Sequence, residues 1–245
     1  MTAYRIELLG YQHIKGKIKC LTGLRIGGAS DVIEIGGLDN PIIKHPLTKE
    51  PYIPGSSLKG KMRSLLELYE NKIDSSGNVC SCGEPDCVVC RLFGISGSQG
   101  SKFGPGRLIV RDAKLCSIDD GQPGRKRNLK QTEIKYENVI NRIKGTAEHP
   151  RQMERVPAGA VFDFSMSYRV FSVQNDKEST PDNGTKDKEF FDTIFKCMRL
   201  LEKDTLGSSG SRGYGQIRFE DINVTYLDGS SQKITLDDSL LTKNG

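Results

Sequence analysis

The chain has 245 residues, a hydrophobic content of 36% and a formal net charge of only +5. This length fits one large domain or two small ones, and the small net charge means that any nucleic-acid-binding surface must be a local patch. No apolar run reaches membrane-spanning length and the N-terminus does not resemble a signal peptide, which predicts a cytoplasmic protein with no membrane partner. The odd number of cysteines, seven, favours metal ligands and buried thiols over a disulfide framework.

The first part of the chain predicts a strand, a loop and a helix. Residues 13–24 alternate as a strand, with Ile14, Ile18 and Cys20 on one face and three lysines on the other. Residues 26–50 are rich in glycine and predict a long loop or a small lid. A helix capped by Ser56 or Ser57 follows, and its apolar stripe consists of Leu58, Met62, Leu65, Leu66, Tyr69 and Ile73.

The start of this helix is basic, because Lys59, Lys61 and Arg63 occupy its first two turns. Cations at a helix N-terminus oppose the helix dipole by about 0.3–1 kcal/mol each. The arrangement becomes favourable when an anion docks against the free N–H groups, the hydroxyls of Ser56 and Ser57 and the three cations. We therefore predict a phosphate-binding site here. The alternative is a solvated helix start that is basic without binding an anion.

Four cysteines follow within eleven residues: Cys80, Cys82, Cys87 and Cys90. Their spacing predicts a tetrahedral Zn²⁺ site, and because four sulfurs close the coordination sphere the metal would be structural. It would stabilise the fold of an insertion that is too short to have its own core. A disulfide pair and a redox switch are the alternatives. The three other cysteines are predicted to be buried thiols: Cys20, Cys116 and Cys197.

The second part of the chain predicts two strands, a helix and a last strand. The strands are 106–115 and 161–171, the helix is 188–203 and the last strand is 216–226, with a peripheral tail from about residue 230. Strand, helix, strand, strand, helix, strand is the order of a ferredoxin-like or RRM-like α+β fold with long insertions.

A glycine loop, residues 207–215, precedes the last strand and contains four glycines, three serines, Arg212 and Tyr214. It is neither a P-loop nor a dinucleotide fingerprint, because those motifs follow a strand and open a helix. Its composition suits backbone and guanidinium contacts to phosphates and stacking on a base, which predicts RNA binding. The alternative is a flexible turn.

Seven ordered motifs together resemble one known family. They are GLRIGG at 23–28, IGGLDNP at 35–41, PYIPGSSLKGKMR at 51–63, CRLFG at 90–94, ENVINR at 137–142, PRQMER at 150–155 and GSSGSRGYG at 207–215. On these motifs the chain resembles the backbone subunits of the type III-A CRISPR (Csm) effector complex, which belong to the RAMP superfamily. The resemblance covers about residues 10–226.

The resemblance implies an RRM-like core that polymerises along CRISPR guide RNA, with copies of itself and other Csm subunits as partners. It also implies that target RNA is cleaved beside a protruding thumb hairpin in each copy. The carboxylate linked to cleavage in that family is Asp39 here, and Asp31 and Glu34 lie in the same loop. One carboxylate is enough to bind Mg²⁺ or another divalent cation when an RNA phosphate also binds the ion. The expected nucleophile is a 2′-hydroxyl of the target RNA, which attacks the neighbouring phosphate. Many relatives carry histidine in place of Arg25, and arginine remains a good phosphate ligand.

The resemblance also places the thumb at about residues 120–160. Its cations with access to phosphates are Lys130, Lys135, Arg142, Lys144, Arg151 and Arg155. Its candidate wedges between bases are Tyr136, Ile140, Ile143 and Met153. Three glutamates, Glu133, Glu137 and Glu154, provide the alternative that these cations form a structural network.

We expect one RAMP domain over residues 1–245. Its core would consist of about 10–24, 56–73, 106–116 and 161–226, with insertions at 25–55 (lid), 76–92 (cysteine cluster) and 120–160 (thumb). A metal-dependent endoribonuclease subunit is the leading interpretation, and a non-catalytic RNA-binding scaffold is the second. A guide-processing nuclease fits less well, because the three histidines, His13, His45 and His149, have no evident acid–base partner. A zinc-ribbon DNA-binding protein is the least favoured.

Overall fold

The computed structural model describes residues 4–28, 41–73, 76–95, 101, 103–118, 131–175 and 180–242. The described residues form a seven-stranded sheet, a separate two-stranded sheet and four α-helices, and every strand pair is antiparallel. The chain is therefore a mixed fold built around a large sheet, as the predicted α+β class requires.

The strands are β1 Tyr4–Cys20, β2 Tyr52–Ile53, β3 Leu108–Val110, β4 Ala113–Ile118, β5 Glu133–Ile140, β6 Ala147–Arg155, β7 Ala160–Asn175, β8 Ile217–Thr225 and β9 Ser231–Ile234. The helices are α1 Gly55–Tyr69, α2 Val88–Phe93, α3 Thr185–Phe191 and α4 Thr193–Lys203. Two 3₁₀ turns, Gly210–Arg212 and Asp238–Leu241, complete the described elements.

The main sheet has the order β2-β4-β7-β1-β8-β9, and β3 also pairs with β7. Its centre is the long pair of β1 and β7, which runs from Tyr4 opposite Asn175 to Lys19 opposite Val161. β5 and β6 pair with each other and form the two-stranded sheet, which we call the hairpin. The hairpin lies within the predicted thumb segment.

One face of the main sheet carries the core. Ile14 of β1 lies opposite Met166 of β7 and Val224 of β8, and all three side chains are buried. Gly16 is required between these strands, because a Cβ there would come within 2.9 Å of the Phe164 ring. The same hydrophobic cluster contains the apolar stripes of α1 (Leu58, Met62 and Leu66) and α4 (Ile194, Met198 and Leu201). The predicted faces of β1 are confirmed, and so is the predicted α1 stripe from Leu58 to Leu66, whereas Ile73 lies beyond the end of α1 and is exposed.

The predicted serine cap of α1 is wrong. The helix begins at Gly55, so Ser56 and Ser57 lie in its first turn, and neither serine accepts a capping hydrogen bond. Instead the Gly55 N–H donates to the Asp112 carboxylate at 2.8 Å. A side chain at Gly55 would come within 2.4 Å of the Val110 carbonyl oxygen, so glycine permits this close approach. A carboxylate of the chain itself thus stands at the helix N-terminus.

Two predicted elements are interrupted. The strand predicted at 106–115 is divided into β3 and β4 at Arg111 and Asp112, where Asp112 turns toward α1. The helix predicted at 188–203 is divided into α3 and α4 at Asp192. Apolar residues at helical spacing continue through the second interruption, from Phe191 to Ile194 and Phe195, which is why the sequence pattern did not reveal it.

The segment after residue 230 is part of the fold, which corrects its prediction as a peripheral tail. β9 pairs with β8, and the 3₁₀ turn Asp238–Leu241 lies against the helices. The Tyr69 hydroxyl of α1 donates to the Leu241 carbonyl at 2.5 Å, and Arg199 of α4 binds the Asp238 carboxylate at 2.7 Å. Among the other cysteines, Cys20 and Cys197 are buried as predicted, but Cys116 is exposed. In the part of the chain described here, no helix is long and apolar enough to span a membrane.

Candidate metal site and RNA-binding surface

The four clustered cysteines bring their sulfurs together. The Cys80 sulfur lies 3.8 Å from that of Cys82 and 3.7 Å from those of Cys87 and Cys90, and Cys82 and Cys90 are also 3.7 Å apart. Four sulfurs about 2.3 Å from a zinc ion would be about 3.8 Å apart in a regular tetrahedron, whereas a disulfide needs about 2.05 Å. The spacing therefore fits a four-sulfur metal site. Burial raises the pKa of the Cys87 thiol to about 11, so a bound metal would have to displace a firmly held proton.

Arg63, predicted to contact phosphate, instead joins the cysteine segment to α1. Its Nε donates to the Glu67 carboxylate at 2.9 Å and its Nη2 donates to the Cys80 carbonyl at 2.7 Å. The same Glu67 oxygen accepts the Cys80 N–H at 3.0 Å. The Arg63 side chain is only 14% exposed, so its guanidinium is engaged by protein groups.

The other predicted phosphate ligands of α1 have different environments. Lys61 pairs with the Asp204 carboxylate at 3.0 Å. Ser56 is exposed and Ser57 is half-buried. Burial, together with the positive charges of Arg169 and Arg63, lowers the pKa of Lys59. Because its surroundings disfavour a positive charge, a bound anion would stabilise the charged form of Lys59.

The glycine loop is fixed against the segment that contains Arg25. The Arg25 guanidinium donates to the Ser208 hydroxyl at 2.9 Å, and the Arg25 carbonyl accepts the Ser208 N–H at 2.9 Å. A Cβ at Gly207 would come within 2.3 Å of the Arg25 carbonyl oxygen, and one at Gly215 within 2.0 Å of the Leu206 carbonyl oxygen. The loop is therefore closely packed, and the structure brings together two predicted RNA-binding segments 183 residues apart.

The hairpin contacts the glycine loop through Glu137. The Tyr214 hydroxyl donates to one Glu137 oxygen and Arg212 donates to the other, each at 2.7 Å. Tyr214 is fully buried, with Lys135 and Arg155 over its ring at 4.3 and 5.0 Å from the centroid. The predicted stacking of Tyr214 on a base does not agree with this burial, because cations from both hairpin strands already cover the ring.

A groove of about 300 Å³ opens beside this contact. It is lined by Lys135, Glu137, Asn138, Val139, Arg151 and Arg212. Three of these residues are cations and one is an anion, so the groove carries net positive charge. Such a groove suits the phosphate groups of a nucleic acid. Arg155, also predicted to bind RNA, donates to Glu133 at 2.7 Å and is less available.

The tip of the hairpin exposes an isoleucine. Ile143 is 97% exposed in the turn between β5 and β6. The Asn141 side-chain oxygen accepts the N–H groups of Ile143 and Lys144, both at 3.0 Å, which fixes the turn. Arg142 donates to the Ile140 carbonyl at 2.7 Å. Of the four predicted wedges, Tyr136, Ile140 and Ile143 are exposed, whereas Met153 is buried.

The predicted catalytic Asp39 lies outside the described residues, as do Asp31, Glu34 and Lys130. The residues on either side of this segment are held together, since the Ile43 N–H donates to the Ile26 carbonyl at 2.9 Å. Among the described residues, the four cysteines are the group of His, Cys, Asp and Glu side chains whose placement could hold a metal ion.

One buried polar cluster was not predicted. Asp187 of α3 is fully buried, and its carboxylate accepts from Arg91 of α2 at 2.5 Å and from Arg107 at 2.8 Å. The Phe171 N–H donates to the same carboxylate at 2.8 Å. These partners are 16 to 96 residues from Asp187 in the sequence. No local motif marks them.

Comparisons with known proteins agree with this architecture. The family model described as the RAMP superfamily matches residues 17–218. The chain is 42% identical to the "CRISPR system Cms endoribonuclease Csm3" of Methanothermobacter thermautotrophicus over 92% of both chains. It is 40% identical to the protein of that name from Streptococcus thermophilus, over 91% of this chain and 94% of the relative.

A solved structure provides a third comparison. The chain is 32% identical to a chain of the "Csm3-Csm4 subcomplex in the type III-A CRISPR-Cas interference complex", with a TM-score of 0.52 over 95% of this chain and 92% of that chain. The family model and the relatives each span most of the sequence. The chain therefore belongs to the RAMP superfamily and, within it, to the Csm3 endoribonuclease family.

Proposed function

We propose that the chain is a backbone subunit of a type III CRISPR complex that binds guide RNA and cleaves complementary target RNA. The observation that carries this proposal is the identity of about two residues in five with Csm3 endoribonucleases over nine-tenths of the chain. The positive groove between the hairpin and the glycine loop supports it, because it supplies an RNA-binding surface. The partners are guide RNA, target RNA, further copies of the chain and other subunits of the complex. We include a cytoplasmic location in this proposal.

The core of the proposed subunit is RRM-like. The strands β8, β1, β7 and β4 lie side by side in that order, while α1 follows β1 and α4 follows β7 in the chain. Antiparallel strands with two helices on one face have the arrangement of a ferredoxin-like fold. On this proposal the lid, the cysteine segment and the thumb are insertions between core elements.

Guide RNA binding is assigned to the cations that border the groove and the glycine loop. Arg151 and Arg212 line the groove, and Arg25 holds the glycine loop in place by its hydrogen bond to Ser208. Arg142 at the hairpin tip and Lys59 on α1 are proposed as further phosphate ligands, with Lys61, Ser56 and Ser57 beside Lys59 on the helix. Contacts of this kind are made mainly to phosphates, so binding should depend little on guide sequence and strongly on salt concentration.

The hairpin is the proposed thumb, and Ile143 is its proposed wedge. Its position at the tip and its 97% exposure would allow it to enter the stack of a guide–target duplex. Displacing one nucleotide frees the adjacent ribose and phosphate to rotate. Tyr136 and Ile140 are exposed further down the hairpin and would cover the neighbouring bases.

Zn²⁺ is the proposed metal of the four-cysteine site, held by Cys80, Cys82, Cys87 and Cys90. The metal would have a structural role, because four protein sulfurs leave no position for a substrate. It would hold the cysteine segment against α1, next to the contacts of Arg63 and Glu67.

Asp39 is the proposed catalytic residue. The O2′ atom of the displaced nucleotide would lose its proton to solvent and attack its own 3′-phosphorus. The bond from phosphorus to the O5′ of the next nucleotide would break, and O5′ would take a proton from solvent. The products would be a 2′,3′-cyclic phosphate and a 5′-hydroxyl. Asp39 would take part through its carboxylate, and a divalent cation such as Mg²⁺ would stabilise charge on the phosphate. In-line placement of O2′ by the thumb would supply much of the acceleration.

Target cleavage by the reconstituted complex tests this proposal, with wild-type chain compared with Asp39→Ala. The metal is varied by omitting Mg²⁺, because a chelator would also remove zinc. We expect Asp39→Ala to lower the single-turnover rate by about 10² or more while guide binding is unchanged. Asp228→Ala, at an exposed turn, is the matched control. Equal cleavage by wild type and Asp39→Ala would instead support the scaffold function, with the active site on another subunit.

A further inference from the structure

The hairpin is attached to the rest of the chain by few backbone contacts. Its strands β5 and β6 pair only with each other among the described residues. Directly after β6, Val156 and Leu24 exchange two backbone hydrogen bonds of 2.8 and 2.9 Å. A two-stranded hairpin has little stability of its own, so side-chain contacts at its base must set its direction.

One such contact is the arrangement of Tyr214 and Glu137. Tyr214 belongs to the glycine loop, and its hydroxyl donates to the Glu137 carboxylate of β5 at 2.7 Å. Burial and the nearby Glu137 raise the pKa of Tyr214 to about 12, so the hydroxyl keeps its proton and donates throughout the physiological range. A hydrogen bond from a hydroxyl to a carboxylate is stronger than one between neutral groups.

The surroundings of Tyr214 leave it little freedom. Lys135 of β5 and Arg155 of β6 lie over its ring, and the Lys135 ammonium also donates to the Arg212 carbonyl at 3.3 Å. Arg212 binds the second Glu137 oxygen and also donates to the Ser209 hydroxyl at 2.7 Å. Both hairpin strands therefore contact the glycine loop, and Tyr214 is at the centre of the contact.

A second contact holds the hairpin at its base. Glu154 of β6 is buried and accepts the Ile42 N–H at 3.0 Å and the Lys44 ammonium at 2.5 Å. Its neighbour in the strand, Met153, lies opposite Lys135 of β5, so Lys135 and Glu154 belong to opposite faces of the hairpin. The hairpin is thus held from both sides, by the glycine loop and by residues 42–44.

We infer that Tyr214 and Glu137 are positioning residues, which act as a latch that fixes the angle of the hairpin relative to the glycine loop. The inference rests on the proposed function in one respect, namely that the hairpin displaces target nucleotides. On this assignment Tyr214 contributes to cleavage without touching RNA. The latch joins the glycine loop and the hairpin into one rigid unit. The wedge at the hairpin tip therefore lies at a fixed distance from a guide RNA bound to the loop.

Tyr214→Phe tests the latch, because it removes only the hydroxyl and keeps the buried ring. Tyr226→Phe is the matched control, since the Tyr226 hydroxyl also donates to a side chain, Gln232 at 2.9 Å, but lies on the turn between β8 and β9. Amide hydrogen exchange is measured on the free protein. We expect exchange in β5 and β6 to become about tenfold faster in Tyr214→Phe, the effect of about 1.4 kcal/mol, with β1 and β7 unchanged. Unchanged protection of the hairpin would overturn the latch.

The same variants are then assayed in the reconstituted complex. We expect Tyr214→Phe to cut target RNA about tenfold more slowly at saturating target, with less regular cut positions, while guide and target affinities stay within about twofold. Glu137→Gln keeps an oxygen acceptor for Tyr214 and should retain more activity than Glu137→Ala. A loss of rate that only follows a loss of target affinity would overturn the positioning role. If the wild-type complex does not cleave at all, the proposed function fails, and the exchange experiment still decides on the latch.

Discussion

The buried carboxylate of Asp187 leads to a prediction about stability. Asp187 and Arg107 have fully buried side chains and Arg91 is 3% exposed, so replacing the carboxylate by an amide would leave a buried positive charge without its counter-ion. Asp187→Asn conserves the shape of the side chain, but it removes the negative charge and turns one acceptor oxygen into an N–H donor that faces other donors. Arg91 would retain Asp182 at 3.4 Å, whereas Arg107 would be left with the carbonyls of Phe103 and Pro105.

The expected loss of unfolding free energy in Asp187→Asn follows from the burial of this cluster. Breaking a buried ion pair by removing one partner costs about 3–5 kcal/mol. For a chain of this size, each kcal/mol lowers the melting temperature by about 2 °C or slightly more, so Asp187→Asn should melt about 6–10 °C below wild type. The control is Asp221→Asn, which makes the same chemical change in an exposed pair with Lys233 at 3.0 Å. An exposed pair contributes about 0–1 kcal/mol, so this variant should melt within about 2 °C of wild type.

The assay is thermal unfolding followed by circular dichroism, with chemical denaturation as a second measure of stability. The wild type and both variants are compared in one buffer with the same zinc content. Equal shifts for Asp187→Asn and Asp221→Asn would refute the reasoning, because burial would then make no difference to the value of the carboxylate. A shift confined to Asp187→Asn would establish the cluster as a stabilising contact between α2, β7 and α3.

Two further predictions concern the metal site and the hairpin tip. Elemental analysis of the purified chain should find one zinc ion, and Cys90→Ser should lower both the zinc content and the melting temperature. Cys116→Ser is the control, because this cysteine is exposed and outside the cluster, and it should change neither quantity. A normal zinc content in Cys90→Ser would contradict the site. Ile143→Ala should leave the melting temperature within about 1 °C of wild type because the side chain is exposed, yet slow target cleavage by the complex. Leu47→Ala, at another exposed apolar residue, should leave cleavage unchanged, and equal rates for Ile143→Ala and wild type would exclude Ile143 as the wedge.

Local patterns in the sequence were sufficient for several features. The alternation in β1 placed Ile14 and Ile18 on the buried face, and a stripe at helical spacing identified the core face of α1. Four closely spaced cysteines indicated a metal site, and their sulfurs converge. These features depend on residues that are near one another along the chain, which is why periodicity and spacing reveal them.

Other features depended on contacts between distant parts of the chain, and only the tertiary structure decided them. Asp112 stands at the start of α1, 57 residues from Gly55, and so replaces the predicted serine cap. Arg63 turns toward the cysteine segment, and Glu137 reaches Tyr214 across 77 residues, which converts an expected base-stacking residue into a buried one. The sequence determined which residue types were available for binding RNA. Folding determined which of them remain available, because buried charges and hydroxyls must find partners within the protein, and the identity of those partners is set by the packing of the whole chain.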